Sequence, residues 1–423
     1  MVATVIRRPS TILVLLTALN LLNYLDRFVL SAVLTKVQDD LHLTNLAGGT
    51  LSTVFLIGFF ATSPLFGSMA DRAGPGGRTR LIALGIVVWS VATVASGFAR
   101  DFWSLFALRA LVGVGEASYA TIAPTIIDDV APLDRKGRWQ AIFFTAIPVG
   151  SALGYILGGA VMHAAGWRAA FYVAGGPGIA VALLCLLIVE PPRGQADARP
   201  DLLASARTLI RLPFYRTTVL GYCAHTFALG GFAFWAPKYL HERYRLDAGY
   251  ASVRFGLITV VSGTIGTLLG GWLGDAAARV RRRGAADRDA DAATAGGNVW
   301  LCALSAALAA PLAAAAILAP TASGFFVMVL PCEIAVFLLG GPINVAMLRS
   351  VPPELRASAM ALCIFAIHAL GDLWSPMIMG RVADLQSMQV AMSAVPLFWA
   401  AAAIVWWAAA RASARLTSTA RVR

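Results

Sequence analysis

Four charged side chains sit in the middle of apolar runs. Asp26 and Arg27 fall in a run at 12–34, and Arg109 and Glu116 in another at 104–128. An ionisable group in hydrocarbon is costly, so such groups face a protein interior or a wet cavity and serve function. A carboxylate there can take up and release a proton, while a guanidinium stays charged and offers a planar fork to phosphate or carboxylate. Arg109 and Glu116 share one helix face with Gly113 between them. At a rise of about 1.5 Å per residue, Asp26 lies roughly 12 Å below the end of its run, Arg109 roughly 8 Å and Glu116 roughly 18 Å below theirs. Depth therefore allows an Asp26–Arg109 pair and an Arg27–Glu116 pair, and also a permanent strut of ion pairs. Asn23 lies one turn before Asp26 and completes this group.

A second polar set occupies the latter half of the chain. Glu333 and Asn344 share one apolar run, and His368 and Asp372 stand four apart on one helix face of another. Tyr222 and His225 precede a cluster of Phe227, Phe232, Phe234 and Trp235. Asn23, Arg27, Glu116, Tyr222, His225, Phe234, Trp235, Glu333, Asn344 and His368 are the candidate substrate contacts.

These residues must be held by helices that cross a membrane. Of the 423 residues 58% are hydrophobic and 13% charged, with a mean hydropathy of +0.73. A soluble domain carries about 25% charged residues. The apolar residues come in blocks of bilayer length, about 20 residues each. Twelve spans are expected, at 12–34, 50–70, 80–98, 104–128, 139–162, 168–189, 216–238, 253–275, 299–319, 325–349, 357–380 and 390–410. They make an all-α membrane protein of two six-helix bundles, 1–189 and 216–423, joined by a cytoplasmic linker at 190–215. Arg7 and Arg8 open a retained first helix rather than a signal peptide. The loop 276–297 reads as solvated.

The net charge of +12 follows the positive-inside rule rather than nucleic-acid binding. With the N-terminus cytoplasmic, cytoplasmic segments hold about 24 Lys and Arg and the opposite loops about 8. Both termini are thus expected inside. The five cysteines lie in apolar blocks with no CxxC spacing and read as small buried hydrophobes. No metal-ligand spacing, nucleophile elbow or phosphate loop occurs, and His241-Glu242 lacks the second histidine of a zinc motif, so no enzyme is expected. A receptor without transport would have no use for titratable groups in mid-membrane.

The two halves repeat. Gly67-Ser68-Met69-Ala70-Asp71-Arg72 ends the second span, followed by Arg78 and Arg80. Gly271-Trp272-Leu273-Gly274-Asp275 ends the eighth, followed by Arg279 and Arg281–Arg283. Such duplication marks transporter architectures. In each copy the glycine would admit a neighbouring helix, and the aspartate would face a helix N-terminus, Asp71 near Ala357 and Asp275 near Trp139. Gly67, Asp71, Arg72, Gly271, Asp275 and Asp372 are the candidate gating residues. Gly150, Gly154 and Gly158 on the fifth span and Gly266, Gly270 and Gly274 on the eighth form small faces, expected to pack those spans together.

The repeated loop, Arg109–Gly115 and the glycine face resemble the major facilitator superfamily. Asn23-Tyr24-Leu25-Asp26-Arg27, Gly113-Val114-Gly115-Glu116-Ala117, Ala123-Pro124-Thr125, Ile147-Pro148-Val149-Gly150-Ser151 and His368-Ala369-Leu370-Gly371-Asp372 resemble its Spinster branch. The resemblance covers nearly the whole chain. It implies a proton-coupled transporter in which Asp26 is the titrating acid, Arg109 the coupling arginine, and Arg27 and Glu116 line the cavity. The chain departs from the family at Ala73-Gly74-Pro75-Gly76-Gly77, a longer loop than usual. The expected cargo is a lysophospholipid or lipid phosphate, with Arg27 at the head group and the rings after His225 on the tail. A multidrug or organic-anion carrier is the alternative. The expected partners are protons, this small molecule and the bilayer of a bacterial inner membrane. The chain is expected to act as a monomer, without a cofactor beyond the proton gradient.

Overall fold

The computed structural model describes residues 6–132, 135–190, 202–282 and 290–419. Among them, twelve helices are long and apolar enough to cross a membrane. Spans 1–6 are Pro9–Leu41, Asn45–Arg72, Gly77–Ser96, Phe102–Val130, Arg138–Ala165 and Trp167–Cys185. Spans 7–12 are Pro213–Tyr244, Ala248–Val280, Asp291–Leu318, Ala322–Arg349, Ser358–Leu385 and Met388–Ala412. Each falls on an expected run. Helices dominate because hydrocarbon supplies no hydrogen bonds, so every backbone group must be satisfied within its own segment.

Span ends outrun their apolar runs where the flanking sequence favours helix. Span 8 continues through an Ala-rich stretch, as helix, to Arg282, and the helix of span 9 begins at Ala290. The solvated loop expected at 276–297 is thereby shortened, because alanine is the strongest helix former; 283–289, with Arg283, lies outside the described residues. The linker at 190–215 likewise holds a helix, Leu202–Arg211, whose Leu209 is fully buried against Tyr215, Met347, Ala359 and Cys363. Residues 191–201 lie outside the described residues.

The chain divides into two compact units, Met1–Asp197 with Ala236–Leu257, and Ala198–Trp235 with Ile258–Arg423. The expected single cut at the linker is therefore incomplete. Ala236–Leu257, the adjoining ends of spans 7 and 8, belongs to the first unit. Lys238 Nζ donates to Gln38 Oε1 at 2.5 Å and to Asn45 Oδ1 at 2.6 Å, Ser252 Oγ donates to the Ala32 carbonyl at 2.9 Å, and His163 meets Asp247 at 3.3 Å.

Within the first unit, span 1 packs on span 5, span 2 on span 4, and span 3 on spans 4 and 6. Within the second, span 9 packs on spans 10 and 12, and span 8 meets span 10 through glycines. Each unit also clamps one end of its spans with ions, but with the signs exchanged. Arg78 at the start of span 3 meets Asp129 near the end of span 4 at 2.6 Å and Glu190 at 3.4 Å. Asp291 at the start of span 9 meets Arg349 at the end of span 10 and Arg356, both at 2.9 Å.

The glycine faces act within each bundle rather than between spans 5 and 8. A Cβ on Gly150 or Gly154 would lie 2.5 Å from the carbonyl oxygens of Leu21 and Leu25 on span 1. A Cβ on Gly266 would lie 2.5 Å from the Ile334 oxygen on span 10, and one on Gly270 would overlap the Leu338 oxygen. Spans 5 and 8 do touch, but through Gly159, Gly249 and Gly256. The motif glycines are also corrected: a Cβ on Gly67 makes only an ordinary 3.6 Å contact with Thr121, and one on Gly271 meets nothing within 4 Å. One residue turns a helix by about 100°, so adjacent glycines serve different faces.

Gly270→Ala should therefore lower stability by about 2 kcal/mol, because a backbone-to-backbone contact leaves no side chain to yield. Gly271→Ala should leave it unchanged or slightly raised. Thermal unfolding in detergent separates the two, and equal shifts would refute the assignment of faces.

Candidate functional site

The first unit gathers Asn23, Asp26, Arg27, Arg109 and Glu116 into one interior cluster. Arg27 Nη2 donates to Glu116 Oε2 at 2.8 Å, and the Glu116 side chain is fully buried while that of Arg27 keeps 18% exposure. Asn23 is buried beside them and interacts with the Glu116 carboxylate. Of the two pairings that depth allowed, this one forms. Asp26 does not pair with Arg109 here. Its Oδ2 accepts from the Thr93 hydroxyl at 2.5 Å, and its Oδ1, in a side chain 1% exposed, has no hydrogen-bond partner among the described residues. Glu116, Arg109 and Arg27 all lie within electrostatic range of it.

Arg109 is held differently. Two of its guanidinium nitrogens, Nε and Nη1, have no partner among the described residues, and its charge rests on the Phe55 ring, 4.9 Å from the centroid. The same ring lies 4.9 Å from the Arg27 guanidinium, which also stands over Tyr24 at 4.8 Å and Phe59 at 5.4 Å. Two cations thus share Phe55, an arrangement that the negative ring face favours. The backbone makes it possible. A Cβ at Gly113 would run into the Phe55 carbonyl, so only glycine lets span 2 come close enough to place that ring between the arginines.

Phe55, Phe59 and Thr93 did not stand out in the sequence, and Tyr24 entered only as part of the motif at 23–27. Phe55 is one apolar residue in an apolar run. Thr93 carried a weak signal, as a hydroxyl inside span 3 at a depth near Asp26.

The second unit keeps its polar residues in separate groups. Glu333, 4% exposed, accepts from Ser262 Oγ at 2.6 Å and Thr259 Oγ1 at 3.2 Å. This ties span 10 to span 8. His368 Nδ1 stands 2.8 Å from Asp372 Oδ1, in a π-helical turn where Gly371 leaves helical geometry with φ −109 and ψ −105. Such turns interrupt helices at functional places. Asp372, expected to gate, is thus the partner of His368. Asn344 Nδ2 returns to its own helix at the Gly340 carbonyl, 2.9 Å away.

The rings of span 7 are taken up by packing, against the expectation that they line a tail site. His225 is buried with Trp399 and Trp406 at 6.2 and 6.1 Å and Tyr222 at 6.2 Å. Phe227 stacks on Phe398 at 4.0 Å, and Phe232 packs edge-on to Trp399. Trp235 donates to the Pro376 carbonyl at 2.9 Å, with Phe234 against it. Large rings are the cheapest way to fill the seam between spans 7 and 12 without polar atoms.

Asp71, Arg72 and Asp275 occupy exposed positions toward the C-terminal ends of spans 2 and 8. The buried charge at that end is instead Arg78, and its partner Glu190 read in the sequence as a linker residue.

This fold and cluster can be set beside known proteins. The family model of the Major Facilitator Superfamily matches residues 16–376. The protein spinster of Drosophila melanogaster is 34% identical over 380 residues, covering 86% of this chain and 60% of that protein. The probable sphingolipid transporter spinster homolog 2 of Arabidopsis thaliana is 31% identical over 415 residues, covering 89% and 81%. Among solved structures, a bacterial homolog of the human lysosomal transporter Spinster, inward-facing and unoccupied, superposes with a TM-score of 0.82 at 22% identity, over 96% of this chain and 98% of that one. With twelve spans arranged in this way and matches along most of its length, the chain belongs to the major facilitator superfamily, in its Spinster branch, and is a membrane transporter rather than an enzyme.

Proposed function

We propose that the chain is a proton-coupled secondary transporter of an amphipathic, lipid-like anion, working by alternating access in a bacterial inner membrane with both termini cytoplasmic. The observation that carries this reading is the cluster around Asp26. A carboxylate with one oxygen unpartnered lies among two arginines and a second carboxylate, all in the membrane interior. A fixed strut would satisfy its members, and Asp26 and Arg109 are not satisfied. A proton on Asp26 removes a buried negative charge. Arg27 is then less strongly held by carboxylates and more open to an anionic head group, toward which its partial exposure already inclines it. Proton and substrate are in this way linked without touching. The likeness to a probable sphingolipid transporter supports a lipid-like cargo. Asp71 and Asp275 are assigned to the cytoplasmic gate, and the transporter is taken to act as a monomer.

Asp26→Asn should abolish substrate accumulation driven by a pH gradient in proteoliposomes while thermal unfolding and substrate binding persist. Wild-type accumulation by this variant would overturn the assignment of Asp26.

Arg27→Ala should weaken binding of a lysophospholipid by about 1.5–3 kcal/mol, as for a charge-assisted hydrogen bond, and leave a cationic dye little affected. Because Glu116 is left without its counter-charge, Arg27→Met with Glu116→Gln serves as the charge-neutral control. Loss of dye binding with lipid binding intact would favour the multidrug reading.

A further inference from the structure

The cytoplasmic ends of spans 2 and 3, beside the gating Asp71, enclose a groove that shares no residue with the Asp26 cluster. It has a volume of about 480 Å³ and is lined by Met69, Arg72, Ala73, Gly74, Gly77, Arg80, Leu81 and Leu84. Two cations stand at its mouth and no carboxylate lines it. Arg72 and Arg80 are both exposed, and neither forms an ion pair among the described residues. The neighbouring Arg78 differs. It is turned inward and buried on Asp129 and Glu190.

The helix faces leading to the groove have one pattern. On span 2, Leu65 and Met69 are 61% and 49% exposed and lie one turn apart, and Arg72 follows on the same face. On span 3, Arg80 is followed on one face by Leu84, Val87 and Val91, all exposed. Each helix thus carries an apolar stripe that ends, at the cytoplasmic level, in an arginine. The two stripes meet at the loop Ala73–Gly77. Its glycines keep the floor open: a Cβ on Gly74 or Gly76 meets nothing, Gly76 has φ +74, and a Cβ on Gly77 would crowd that of Ala73 at 2.5 Å.

We propose that this groove binds an anionic phospholipid of the cytoplasmic leaflet, with Arg72 and Arg80 on its phosphate and one acyl chain along Met69, Leu81 and Leu84. Charge complementarity selects the anion. The apolar wall selects a lipid over a free phosphate, which would engage the arginines and leave the leucines bare. The depth fits as well, since basic pockets at the cytoplasmic ends of helices recognise lipid head groups. The long loop between spans 2 and 3 thereby acquires a purpose, because the bound lipid braces two helices that the glycines leave loosely joined. The site is separate from the Asp26 cluster and does not depend on which substrate the protein carries.

The test uses the full chain in neutral detergent. Thermal unfolding is followed while dioleoylphosphatidylglycerol, dioleoylphosphatidylcholine or inorganic phosphate is added. A phosphatidylglycerol with a photoreactive acyl chain then labels the wild-type protein for peptide mapping. Phosphatidylglycerol should raise the unfolding midpoint and label the stretch 65–91, while the other two ligands should not protect. Arg72→Gln with Arg80→Gln should weaken that binding roughly thirtyfold, about fivefold for each cation removed. Arg254→Gln, an exposed cation near the opposite end of span 8, should leave it unchanged. Equal protection by phosphatidylcholine or by phosphate overturns the proposal. So does wild-type affinity in the double variant, or label that falls outside spans 2 and 3. Should the double variant not fold, the label map on the wild-type chain decides alone.

Discussion

A charge placed in hydrocarbon must find its counter-charge inside the protein, because neither lipid nor water will supply it there. That constraint organises the first unit. Arg27 and Glu116 pair at 2.8 Å, and the two arginines both stand over Phe55. Arg109 and Asp26 are left with unmet hydrogen-bonding capacity. Span 2 must approach span 4 at Gly113 for this to hold, and span 5 closes on span 1, which carries Asp26 and Arg27, along Gly150 and Gly154. The helices are therefore positioned by glycine, and the glycines by the need to enclose charge.

The second unit meets the same constraint with fewer charges. Glu333 is held by hydroxyls of the adjacent helix, and Asp372 by a histidine one turn away. Neither group leaves a guanidinium exposed to a cavity. The duplicated sequence has thus diverged in chemistry while keeping its helix pairings, with the buried two-carboxylate, two-arginine arrangement found, among the described residues, in the first unit. The ionic clamps, Arg78 on Asp129 and Asp291 on Arg349, show the same drift. The position is retained and the signs are exchanged, as the Coulomb attraction requires only that they be opposite.

The end of the chain's seventh and start of its eighth span belong with the first unit through Lys238, Ser252 and Asp247. Lys238 is 8% exposed and held by two side-chain oxygens, Gln38 Oε1 and Asn45 Oδ1. Glu242, one turn along the same helix, supplies its counter-charge at 3.4 Å, so a single cation joins the end of span 7 to spans 1 and 2.

The sequence by itself determined the twelve spans, their duplication and the depth of each buried charge. These depend on residue type and on a rise per residue that every helix shares. It left open which face each helix turns to its neighbours. For that reason Arg27–Glu116 and Asp26–Arg109 were equal on depth, and only packing brought the first together. The same gap put a close approach at Gly271, turned Gly270 toward span 5 rather than span 10, and sent the rings of span 7 to a substrate rather than to Trp399 and Trp406. Phe55 and Glu190 were invisible for a related reason: their roles come from residues 54 and 112 positions away, Arg109 and Arg78. Depth is a property of one helix, whereas facing is a property of two, and the second is decided only when the bundle has closed.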